Sequence, residues 1–247
     1  GDLTIASNRD STIETGSGPL TLEGENIALG APGAAGVLKS GSGDVKVTAN
    51  VAAEGDADGS FTMGTSPGTQ IVTGGSGSVT VDDPYNVTID GAGISAGGDV
   101  SVVALNNITV NSLVESTGAQ VDLTADTDDA NGGALTVDAR LRGVDDSSAG
   151  LLGVTLDTGS TGTIDIASAQ QNDLGGIRIL PTSRLTVRSD IVANGDVDAS
   201  ALTNPTNPTE ITADILVRSN TGSIAFGGDI SGDAGNVRSL LFEAPSG

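Results

Sequence analysis

Val79, Val100 and Val121 stand 21 residues apart, and Val87 and Ile108 repeat the same interval. Each opens an apolar–polar–apolar triplet. Gly77-Ser78-Val79-Thr80-Val81 is followed by Gly98-Asp99-Val100-Ser101-Val102, and Val87-Thr88-Ile89 by Ile108-Thr109-Val110. Alternation of this kind marks a short strand with one buried face. A third apolar point follows at Ile94 and at Leu113. Strands that return in phase at a fixed interval belong to stacked turns; the strands of a sandwich have no reason to keep phase. Helix is disfavoured, because the chain holds 37 Gly and its apolar positions are largely Val and Ile, residues that lose rotamer freedom in a helix. The expected fold is all-β: a right-handed parallel β-helix (β-solenoid) with about three short strands per turn.

The same phrase recurs as Gly1-Asp2-Leu3-Thr4-Ile5, Gly18-Pro19-Leu20-Thr21-Leu22, Gly43-Asp44-Val45-Lys46-Val47, Gly133-Ala134-Leu135-Thr136-Val137 and Gly222-Ser223-Ile224-Ala225-Phe226. Residues 1–247 therefore read as a single β-solenoid domain, entered and left in mid-pattern, a segment of a longer repetitive protein or fibre. Stretches 52–59, 126–133, 143–150 and 201–210 break the register and read as loops bulging from the rod. Roughly ten to twelve turns, at about 4.8 Å each, give a rod on the order of 50–55 Å long.

The core inventory agrees. With no Trp, one Tyr and three Phe, the interior must be built from Val, Ile, Leu and Ala, which suits a thin, evenly runged core. The balance of 10 basic against 32 acidic residues repels nucleic acid and anionic membrane. Apolar runs are far too short for membrane insertion. No Cys and no His are present, which removes thiol nucleophiles, disulfides and the usual general base near neutral pH.

Four groups of polar residues invite a chemical reading. Glu54-Gly55-Asp56-Ala57-Asp58-Gly59 and Asp126-Thr127-Asp128-Asp129-Ala130-Asn131-Gly132 place carboxylates before a Gly, as a calcium loop begins. Asp56, Asp58, Asp126, Asp128 and Asp129 are thus the candidate calcium ligands, with solvated Asp/Gly turns as the plain alternative. Thr recurs between apolar residues (Thr4, Thr21, Thr62, Thr80, Thr88, Thr109, Thr136, Thr155, Thr186). That row could order water as an ice-binding face, or simply reflect how well Thr tolerates a strand. Asn26, Asn50, Asn86 and Asn107 precede the second strand and read as a structural ladder of stacked amides. Arg178, Arg184 and Arg188 form the densest basic stretch, with Arg184 and Arg188 expected to pair with neighbouring Asp more readily than to bind a uronate.

Residues 97–110, Gly-Gly-Asp-Val-Ser-Val-Val-Ala-Leu-Asn-Asn-Ile-Thr-Val, restart at Gly118-Ala119-Gln120-Val121-Asp122-Leu123-Thr124-Ala125. This phrase resembles the repeat of filamentous-haemagglutinin-type exoproteins and related autotransporter passengers. The likeness is close over residues 77 to 125 and looser elsewhere, without the family's amino-terminal secretion cap. It implies a large secreted bacterial adhesin folded as a right-handed β-helix. Together these observations favour a non-enzymatic structural or adhesive rod, extracellular or at the bacterial cell surface. Its expected partners are a copy of itself or more of the same chain, end to end, and a surface glycan or host receptor. The alternative is a polysaccharide-degrading β-helix enzyme or a tailspike-like glycan binder.

Overall fold

A computed structural model describes residues 1–6, 8–49, 59–127, 132–146, 150–202, 209–233 and 236–245. Among them there are strands and turns but no helix. Successive strands fall in rotation onto three faces of a coil. The first face is a ten-stranded parallel sheet running from Leu3–Ile5 to Ile230–Gly232, and the third is nine-stranded, from Leu20–Glu23 to Ile224–Phe226. The second face comprises two sheets. One has six strands, between Ser11–Thr15 and Leu141–Arg142, and the other four, from Gln170–Asn172 to Leu240–Glu243.

The expected interval is the coil's own repeat. Val79 pairs with Val100 and Val100 with Val121, while Val87 pairs with Ile108. On the second face Ile94 pairs with Val114, one residue beyond the Leu113 suggested by spacing. Leu113 instead offers its carbonyl to the Ile94 N–H at 2.9 Å, beside Gly93 at φ 85°. A Cβ on Gly93 would lie 1.9 Å from that carbonyl oxygen, so only glycine permits so close a turn.

The structure forms about nine turns, not ten to twelve. Longer excursions account for the difference. Val45 pairs with Val79 and Val121 with Val154, intervals half as long again as the regular one. Nine rungs span roughly 40 Å.

Alternation along each strand turns one residue set inward, where it meets the equivalent residue of the next turn. The third face stacks Val79, Val100, Val121 and Val154 in one column and Val81, Val102, Leu123 and Leu156 in the next, all with no exposed surface. Burying each such side chain contributes about 1.5–3 kcal/mol. The core is therefore a stack of thin aliphatic layers, and each layer depends on the one above it and the one below.

Candidate functional site

The second face is where the solenoid departs from its own rule. Its central inward column runs Ile71, Ile94, Val114, Leu141, then Gln170, then Ile191 and Val217. Gln170 is 1% exposed, and a buried amide is tolerated only when its hydrogen bonds are satisfied. Here they are. Leu141 N–H donates to Gln170 Oε1 at 3.1 Å, and Gln170 Nε2 donates to the carbonyls of Ala139 at 2.8 Å and Ser168 at 3.0 Å. Asn172, fully buried, accepts from the N–H groups of Gly143 and Gly175 at 3.2 Å and donates to the Gly176 carbonyl at 2.8 Å. At this one step, two side-chain amides replace a backbone ladder.

An excursion follows Leu141–Arg142. Gly143 and Gly153 meet so closely that a Cβ on Gly143 would lie 1.8 Å from the Gly153 carbonyl oxygen. Asp146 and Leu151 form an isolated antiparallel bridge, and Asp145 Oδ1 accepts from the N–H groups of Gly153 at 2.7 Å and Gly176 at 2.6 Å. The excursion thus lies beside the level at which Leu141–Arg142 and Gln170–Asn172 fall into separate sheets and do not pair.

Over the break lies an open groove of about 260 Å³ lined by Arg140, Gln171, Asn172, Asp173, Val192, Arg218 and Asn220. Arg140 Nε donates to the Gln171 carbonyl at 2.6 Å, and its Nη2 to Asp173 at 2.8 Å. Arg142 bridges Asp173 at 2.7 Å and Glu115 at 2.6 Å. Hydrogen bonding from Arg142, against a smaller opposing effect of burial and with added attraction from Arg140, holds the Asp173 carboxyl below the usual carboxylate range. Among the described residues, the ion-pair partner of Arg218 is Glu243, at 3.9 Å.

Elsewhere the charged residues serve the coil. The Asp that precedes a strand accepts a backbone N–H from the next turn: Ser78 to Asp44 at 2.9 Å, Ser223 to Asp196 at 2.6 Å, Leu216 to Asp190 and Ser239 to Asp214 at 2.8 Å. This use of acidity went unread in the sequence, although the recurring Gly-Asp-Val phrase carries its signal. Arg188 pairs with Asp165 at 2.7 Å, as expected; Arg184 pairs with Glu210 in place of the expected Asp, and Arg178 with Asp198 at 3.3 Å. The amide ladder is present where Asn107 Nδ2 donates to Asn86 Oδ1 at 2.8 Å, but Ser60 stands between Asn26 and Asn86, and its Oγ donates to Asn26 Oδ1 at 3.0 Å. Asn50 lies outside the described residues.

The Thr residues form two rows, not one. Thr62, Thr88, Thr109 and Thr136 stack on the first face, while Thr21, Thr80 and Thr155 share a third-face column with Lys46, Ser101, Asp122 and Arg178.

Of the calcium candidates, Asp56, Asp58, Asp128 and Asp129 lie outside the described residues. Asp126 sits at a corner with φ 55° and is 1% exposed. Its Oδ2 accepts from Thr161 Oγ1 at 2.8 Å, and its Oδ1 has no hydrogen-bond partner. No cluster of three or more metal-ligating side chains occurs among the described residues.

Ile224, Phe226, Ile230, Phe242 and Ala244 line a hollow of about 440 Å³, with the rings of Phe226 and Phe242 5.6 Å apart. At the other end, Ile13 is 37% exposed in the first turn. Searches among protein-family models, curated proteins and solved structures return no match to this chain.

Proposed function

We propose that this chain is a non-enzymatic extracellular rod of a bacterial surface adhesin or fibre, extended end to end by further parallel turns. The observation that carries the reading is the coil itself: three faces of parallel strands in which each turn offers its backbone and its aliphatic layer to the next. The apolar layering continues to the last described turn, where Ile224, Phe226, Ile230 and Phe242 line a hollow, and a strand edge readily accepts another strand. At the opposite end Leu3, Ile13 and Leu22 present partly exposed apolar side chains from the same three faces. A head-to-tail contact of this kind does not close on itself and generates a filament. The likeness of residues 97–110 to filamentous-haemagglutinin-type exoproteins supports the extracellular setting.

The competing reading, an enzyme acting on acidic polysaccharides, needs a carboxyl that can hold a proton near neutral pH. The groove's Asp173 is displaced in the opposite direction by its arginines, and Asp122, which is displaced upward, stands on the third face and does not line the groove.

Stacking is tested by sedimentation and electron microscopy of the 247-residue chain. The parent should form rods whose length grows with protein concentration, one rod wide, and Phe242→Asp should hold it at a single length. A parent chain that remains a single rod at every concentration overturns the reading.

A further inference from the structure

We propose that the groove over the second-face break binds a carboxylate-bearing saccharide, a uronate unit of an acidic glycan, with Arg218 as the anion contact. In a chain of 10 basic and 32 acidic residues, two arginines, Arg140 and Arg218, line this one groove, and a third, Arg142, reaches its Asp173. Two are already committed: Arg142 to Glu115 and Asp173, Arg140 to Asp173 and a backbone carbonyl. Arg218 is not. Its carboxylate lies 3.9 Å away, whereas the other paired arginines stand at 3.3 Å or less. Its planar fork of donors matches a carboxylate in two parallel hydrogen bonds.

The surroundings suit a sugar ring. Val192 is paired between Gln171 and Arg218 on the outward side of the strands, giving an apolar floor for the carbon-bound hydrogens of a pyranose. Gln171 and Asn220 are exposed at either side, and each amide supplies donors and an acceptor for ring hydroxyls. At about 260 Å³ the groove falls below the roughly 300–1,000 Å³ of pockets for drug-sized ligands. It therefore accepts one ring and lets a polymer continue along the open face. Charge density separates a glycan from an acidic peptide: a net charge of −22 repels a chain with a carboxylate on every short residue more than one with a carboxylate per ring. The assignment is independent of end-to-end stacking, since a single rod carries the whole groove.

The test is titration of the full chain with trigalacturonate, followed by amide chemical shifts and calorimetry. Saturable binding should move the signals of Gln171, Val192, Arg218 and Asn220. Arg218→Gln should raise Kd at least tenfold and Asn220→Ala about threefold, with Arg188→Gln unchanged and all three melting as folded proteins. Absence of saturable binding, shifts centred elsewhere on the parent chain, or unaltered affinity in Arg218→Gln overturns the proposal. Equal competition by triglutamate overturns it in favour of acidic peptides, and tighter binding of a sulfated neutral trisaccharide overturns the preference for a carboxylate.

Discussion

The turns between residues 77 and 125 and those between 138 and 180 share one architecture but stabilise it in different ways. In the first region the central inward columns are aliphatic, with polar side chains inward only at a corner, as at Ser116, and the backbone of each turn pairs with the next on all three faces. In the second, one face breaks beside a hairpin, and buried amides take over the missing bonds. The contrast shows that a solenoid needs each turn's polar groups satisfied, not a constant repeat length. Where the backbone cannot reach, a side chain of the right length can. The position of Gln170 in an otherwise apolar column is then a requirement of that one step.

Exchanging the two solutions should break both. Ile94→Gln places an amide in an intact, fully paired column, where it finds no free backbone partner; together with lost packing this should cost about 4 kcal/mol. A chemical melt that leaves stability within 1 kcal/mol of the parent would contradict the comparison. Gln170→Leu is nearly volume-conserving and more apolar, so a purely hydrophobic account predicts stabilisation. The hydrogen bonds at Leu141, Ala139 and Ser168 predict a loss of about 2–3 kcal/mol instead, read from the same melts.

The smallest effect is electrostatic and has opposite signs in the two regions. Asp173 is held ionised chiefly by hydrogen bonding from Arg142. A depressed folded-state pKa contributes stability above the ordinary carboxylate value that is lost as pH falls, so Asp173→Asn should flatten the acid side of the stability profile. Asp122 is displaced upward, first by burial and further by nearby Asp99, against a hydrogen bond from Thr155. Its ionised form is penalised, and Asp122→Asn should raise the melting temperature at neutral pH and lose that advantage in acid. Thermal melts of both variants across the acid range check the two signs; parallel profiles would remove the distinction.

Much of this was legible in the residues. Period-two alternation and the 21-residue interval gave the strands, the three faces and the register of Val79, Val100 and Val121, because inward positions must match from turn to turn. The interval could not report the number of turns, since loop length is free wherever the chain leaves the rod. Nor did it mark the break. Gln170 and Asn172 stand at alternate positions as any inward pair does; Asn172 shares a corner column with Ser219 and makes similar turn bonds, whereas the amide of Gln170, in an otherwise apolar column, is explained only by the missing backbone partner. The groove was hidden for a related reason: Arg140, Asp173 and Arg218 are remote in sequence and meet through coiling alone. The Thr row divided because the apolar–polar–apolar triplet is common to two faces.

The missing ladder on the second face also has a mechanical consequence. A three-walled column with equal walls resists bending about equally in every direction. With one wall joined at a single level by side chains, and the first and third faces continuous past it, the rod acquires a soft direction. It flexes by opening or closing along the second face, at the level of Gln170. A long appendage built on this coil would yield there first under a sideways load, and would do so without parting the two walls that carry tension along its axis.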